Sequence, residues 1–122
     1  MNRIDRGLKY AEKAATLSNN EKFRVGAAIF RGKRLISMGW NNTWKTHPES
    51  KARFKACHAE FAAIQGNYKY DLIGATIYVV RITNANRRGM AKPCKYCEEV
   101  IAAAGIEQVI YTNQKGEPEY AA

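Results

Sequence analysis

His58 and Glu60 stand two residues apart in Cys57-His58-Ala59-Glu60, and Cys94 and Cys97 stand three apart in Pro93-Cys94-Lys95-Tyr96-Cys97. One imidazole and two thiols are the donor set of a zinc ion with an open position. A catalytic zinc takes three protein ligands and leaves its fourth tetrahedral place to water. Neutral imidazole and two thiolates cancel the charge of Zn²⁺, and the bound water then ionises near neutral pH, its pKa falling to about 7. Glu60 is near enough to His58 to take and return a proton while staying off the metal. The count implies one zinc per chain.

Two other uses of these residues fit less well. A closed structural zinc site needs four ligands, and Cys57 is the only other cysteine. Adjacent Cys57 and His58 would have difficulty reaching one metal from a helix, so Cys57 is assigned to packing. A structural site also gives no reason for Glu60 beside the ligand or for Pro93. A disulfide framework is weaker still, because three cysteines is an odd number and C-x-x-C with a histidine points to metal or redox chemistry.

The elements that must present these residues can be read from periodicity. Ile4, Leu8, Ala11 and Ala15 recur at helical spacing and predict a first helix over about 4–17, broken by Ser18-Asn19-Asn20. Val25–Phe30 and Arg34–Trp40 flank Arg31-Gly32-Lys33 as a hairpin. Residues 41–55 form a polar and basic loop. A helix over about 57–65 carries His58 and Glu60 and stops at Gly66. Ala75–Ile82 is a strand, 83–92 a loop, and 94–104 a helix ending at Gly105. Cys94 and Cys97, at i and i+3, put both thiolates on one face of that helix start. Pro93 suits the first helical position or the one before it, and the helix N-terminus favours thiolates. Ile106–Thr112 is the last clear strand, parallel to 75–82 if the helix between them is a crossover. This order predicts a three-layer α/β sandwich, with the zinc between the N-termini of two neighbouring helices.

The chain has 122 residues, enough for one domain with a real core, and 1–122 is read as a single unit. No apolar run approaches the ~20 residues that span a bilayer. The N-terminal Met1–Arg6 has no apolar core of a secretory signal, so the cytoplasm is the expected location and no membrane partner is expected. The net charge of +9 is uneven: residues 1–42 carry +6, residues 43–95 carry +7 and residues 96–122 carry −4. A positive field around the catalytic half suits an anionic substrate, either a nucleotide phosphate or a polynucleotide backbone.

With both motifs at helix starts in this order, the chain resembles the cytidine and deoxycytidylate deaminase superfamily over nearly its whole length. Phe23-Arg24-Val25-Gly26-Ala27-Ala28 is similar to the first-strand motif of the cytidine deaminases. Gly39-Trp40-Asn41 is similar to the G-[WY]-N element of the deoxycytidylate and tRNA adenosine deaminases. Ala103-Ala104-Gly105-Ile106, running into Val109-Ile110-Tyr111, is similar to the A-G-I-x-x-V element of the deoxycytidylate group. The resemblance implies an α/β/α sandwich of the cytidine deaminase type with a mixed sheet of four to five strands. Gly116-Glu117-Pro118 is unsuited to a central strand, so the fifth strand is expected to be absent or very short. No second cluster of cysteines and histidines is left for the structural zinc of many deoxycytidylate deaminases.

What the resemblance implies about activity is hydrolytic deamination of a cytosine nucleotide, deoxycytidylate giving deoxyuridylate and ammonia. His58, Cys94 and Cys97 would be the zinc ligands. Glu60 would take the proton of the attacking water, deliver it to N3 and later protonate the leaving amine. Ala59 and Pro93-Cys94 would read the base edge through their backbones, and Asn41 would touch base or sugar. The alternative for Asn41 is a turn-former after its strand. Lys45 and His47, within the basic loop that also holds Lys51, Arg53 and Lys55, are the candidates for the phosphate. Arg81, Arg87, Arg88 and Lys92 make a second basic group before the cysteines. Trp44 and Tyr68 are candidates to stack a base. A homo-oligomer with sites completed across subunits is implied by the same resemblance. Two rivals stay open: a deaminase acting on single-stranded DNA or RNA, since aromatics among basic residues make stacking platforms, and a non-catalytic zinc or nucleic-acid-binding module, against which Glu60 argues.

Overall fold

Helix α1 (Arg3–Ala15) turns Leu8, Ala11, Ala14 and Ala15 inward, following the spacing that predicts it. Its N-terminus is closed by Asn2, whose side chain accepts the Asp5 N–H at 2.8 Å. Asp5 in the first turn and Lys13 in the last complement the helix dipole. The computed structural model describes residues 2–19, 23–41, 58–67 and 69–121. The basic loop with Trp44, Lys45 and His47 lies outside the described residues, as do Cys57 and Tyr68.

Strands β1 (Arg24–Arg31) and β2 (Arg34–Trp40) form the expected hairpin. They are followed by α2 (Ala59–Ile64), the short α3 (Lys69–Leu72) and β3 (Thr76–Ile82). Then come β4 (Arg88–Gly89), α4 (Lys95–Ala103), β5 (Gln108–Thr112) and β6 (Pro118–Ala121). The sheet runs β2-β1-β3-β5-β6, with β4 attached to β3. β3 and β5 are parallel, and the segment between them includes α4; the other pairs are antiparallel. The sheet is therefore mixed, with five strands along its main path and one two-residue addition.

Strand alternation sorts the core into two layers. Ala28, Phe30, Tyr78, Val80, Ile82 and Ile110 meet α1 residues Leu8, Ala11 and Ala15. Ala27, Ile29, Ile77, Val79 and Tyr111 point the other way and pack with Ala59 and Ala63 of α2 and Ile101 of α4. The result is a sheet between α1 on one side and α2 with α4 on the other.

Two glycines of the sequence motifs explain themselves here. A Cβ on Gly26 would strike the backbone of α1 at Ala11 and Ala15. A Cβ on Gly39 would strike the backbone of α2 at Ala59 and Ala63. Each lets a helix lie directly on its strand. Gly39 thus sets the height of the helix whose start carries His58 and Glu60.

Three points differ from the sequence reading. α3 is additional; of Tyr70, Asp71 and Leu72 only Leu72 is deeply buried, too weak an apolar pattern to announce a helix. The 83–92 segment does not run loose. It folds back through Thr83 N–H to the Arg87 carbonyl at 2.7 Å, with Asn86 at φ 58, and adds β4 to the sheet. The fifth strand of the main path is β6, four residues long on the open side of β5. An edge strand tolerates Pro118, which a central one would not. Among the described residues no helix is long and apolar enough to cross a membrane.

Candidate active site

The two motifs become two helix starts. His58 is the N-cap of α2 and Cys94 the N-cap of α4, both with extended backbones at φ −78°, ψ 150° and φ −69°, ψ 166°. Helices α2 and α4 pack together, so these starts are neighbours. The Cys94 sulfur accepts the Cys97 N–H at 3.5 Å, which satisfies one of the orphan donors at a helix start. Pro93 is buried and precedes the N-cap, two places before Lys95, the first helical position that suits proline.

Nδ1 of His58 lies 3.4 Å from Sγ of Cys97 and 3.9 Å from Sγ of Cys94. One donor atom from each of the three residues lies within 4.8 Å of the others. Zn–S of about 2.3 Å and Zn–N of about 2.0–2.1 Å in a tetrahedron place nitrogen and sulfur roughly 3.6 Å apart. The observed spacings bracket that value, so the donor set fits zinc. Burial lowers the pKa of His58, favouring the neutral imidazole a metal needs. Among the described residues these three are the one group of histidine, cysteine and carboxylate side chains so arranged.

Glu60 occupies the first turn of α2 and is 5% exposed. Burial pushes its carboxyl up to about 7, against the lowering effect of a hydrogen bond to its own backbone and one with Cys97. A carboxyl in that range can both hold and release a proton near neutral pH.

His58, Ala59, Glu60 and Cys94 share a cavity of about 390 Å³ with Val25, Asn41, Phe23, Arg81, Met90, Ala91 and Lys92. Its inner wall includes the buried Ala59, Glu60 and Ala91, while Phe23, Met90 and Lys92 are exposed. The volume is in the range of small-molecule sites, which run from about 300 to 1,000 Å³.

The cavity gathers His58, Cys94, Glu60, Ala59 and Asn41, all of them expected from the sequence. Cys97 is fully buried behind it, and Pro93 does not line it. Asn41 has a structural task as well. Its side chain accepts the Val25 N–H at 2.9 Å and donates to the Phe23 carbonyl at 2.5 Å, fastening the end of β2 to the start of β1. Lys45 and His47 lie outside the described residues.

Of the second basic group, Arg81 and Lys92 reach the cavity, whereas Arg88 pairs with Glu12 at 2.7 Å and Arg87 lines a separate notch with Thr83 and Lys115. Sequence reasoning grouped Arg81 with a loop and overlooked Phe23 as a site residue. The signal was present in the alternation Ile77, Val79, Arg81. Ile77 and Val79 face α2 and α4, and a residue two further along faces the same way.

Comparison with known proteins agrees with this geometry. Residues 1–113 match the family described as the cytidine and deoxycytidylate deaminase zinc-binding region. The deoxycytidylate deaminase of Mycobacterium phage D29 is 30% identical over 127 residues, covering 88% of this chain and 91% of that protein. The deoxycytidylate deaminase of Homo sapiens is 28% identical over 116 residues, covering 84% of this chain; the chain spans 60% of the human protein's length. The crystal structure of the dCMP deaminase from the cyanophage S-TIM5 in apo form superposes with a TM-score of 0.68. It is 24% identical and covers 93% of this chain and 86% of that one, a likeness of fold.

Proposed function

The chain belongs to the cytidine and deoxycytidylate deaminase family of zinc-binding hydrolases, and on that premise we propose that it deaminates a cytosine nucleotide, turning deoxycytidylate into deoxyuridylate and ammonia. One observation carries the reading: the open cavity holds His58, Cys94 and the buried Glu60 together. A closed structural metal site would have no use for that cavity or for a buried carboxyl beside it.

His58, Cys94 and Cys97 would hold the zinc, and the ion, when bound, supplies the Lewis acidity that makes water acidic near pH 7. Glu60 takes the proton of the attacking water as C4 of the ring is attacked and delivers it to N3. It then takes the proton of the hydroxyl newly formed at C4 and gives it to the amine, which leaves as ammonia as the C4 carbonyl forms. Its burial excludes bulk water from that transfer. The wall formed by Ala59 and Ala91 is apolar and fits the flat face of a pyrimidine. Asn41, with its amide already bound to β1, offers its remaining hydrogen-bond capacity as a fixed rather than a mobile contact.

The test is ammonia release from deoxycytidine, deoxycytidylate, cytidylate, guanine and a cytosine-containing oligonucleotide. Deoxycytidylate should have the highest kcat/KM. Release from none of the five would overturn the reading.

A further inference from the structure

We propose that Arg81 reads the phosphate of the nucleotide in this cavity and so makes the chain prefer a nucleoside monophosphate to a nucleoside. The proposal rests on the deaminase reading for its substrate, and on the following observations for its residue. Arg81 continues the inward-facing series Ile77, Val79 on β3, one step past the apolar core, and lines the same cavity as His58 and Glu60. Its guanidinium carbon stands 4.2 Å from the centre of the Phe23 ring, which also lines the cavity. Its Nε–H is buried and has no hydrogen-bond partner.

A partly buried guanidinium with an unfilled donor is costly unless an anion completes it. The Phe23 ring packs against the guanidinium, whose donor edge includes the buried and unpartnered Nε–H. That edge matches a phosphate, which a guanidinium grips through two parallel hydrogen bonds. The backbone that carries this ring is held by Asn41, which donates to the Phe23 carbonyl.

Neighbouring described cations have other engagements. Arg24 donates to the Thr83 carbonyl at 3.1 Å and to Asn86 at 2.9 Å. Arg88 pairs with Glu12. Lys92 also lines the cavity, but it is exposed, so water screens its charge. Arg81 combines access to the cavity, partial burial and an open donor.

Arg81→Gln and Arg81→Lys are to be compared with the parent chain in two assays. The first is kcat/KM on deoxycytidylate and on deoxycytidine. The second is calorimetric binding of deoxyuridylate and of deoxyuridine, which needs no turnover. Arg81→Gln should lower the deoxycytidylate-to-deoxycytidine ratio at least tenfold and weaken deoxyuridylate at least tenfold more than deoxyuridine. Arg81→Lys, keeping the charge without the fork, should recover part of both effects and guards against a variant that fails to fold.

An unchanged ratio, or equal weakening of deoxyuridylate and deoxyuridine, overturns the proposal. An oligonucleotide that surpasses deoxycytidylate as substrate and loses as much on Arg81→Gln overturns the choice of a terminal monophosphate over an internal phosphodiester. If the parent chain deaminates none of these compounds, the deaminase reading fails, and the binding assay with deoxyuridylate still decides the role of Arg81.

Discussion

Sγ of Cys97 lies 3.4 Å from Nδ1 of His58, although 39 residues separate them in the chain. The distance joins the start of one helix to the first turn of another. It exists because α2 and α4 pack side by side on the same face of the sheet. The donors are thus assembled by the fold, and a metal has to do little ordering of its own.

The purified chain should therefore hold one zinc, measurable by atomic emission, and Cys94→Ser or Cys97→Ser should lose metal and turnover together. A chelator should produce the same loss, and added zinc should restore it. Two zincs per chain, or activity in either serine variant without metal, would refute the three-ligand site.

Glu60→Gln should keep the zinc and lose turnover by roughly 10²–10⁴-fold, the usual worth of a general acid–base group. Glutamine has nearly the same shape, so unfolding should be little changed. Turnover within tenfold of the parent chain would remove Glu60 from the reaction.

Asn41→Ala leaves the Val25 N–H and the Phe23 carbonyl without their partner. One bond is part-buried and the other exposed, so each is worth about 0.5–1.5 kcal/mol, readable in urea unfolding. Asn41→Asp should be no better, because it would set a carboxylate oxygen against the Phe23 carbonyl. If aspartate is tolerated as well as asparagine, the bond to Phe23 does not matter.

Gly26→Ala and Gly39→Ala should each destabilise by about 1–3 kcal/mol through overpacking. Their effects on activity should part company. Gly26 abuts α1 on the far side of the sheet, whereas Gly39 abuts α2, which begins at His58 and carries Glu60. At temperatures where both variants are folded, Gly39→Ala should reduce kcat/KM and Gly26→Ala should not. Equal losses in the two would show that α2 is not positioned by β2.

The chemistry was legible in the chain because metal ligation depends on residue type and close spacing. His58 with Glu60, and Cys94 with Cys97, announce themselves at separations of two and three residues. Helix and strand were legible for a similar reason: the 3.6 period of Ile4–Ala15 and the β-branched run Ala75–Ile82 are local patterns. The tertiary structure alone decided which of several chemically similar residues share the cavity. Arg81, Arg87, Arg88 and Lys92 are near one another in sequence and alike in charge. Strand parity sends Arg81 inward, and Arg88 ends against Glu12, 76 residues away. Likewise Asn41 is a plausible ligand or a plausible turn-former by its side chain. Only the meeting of β2 with β1 puts its amide between Phe23 and Val25. Contacts of that kind depend on chain pairing across long separations, which short-range spacing does not encode.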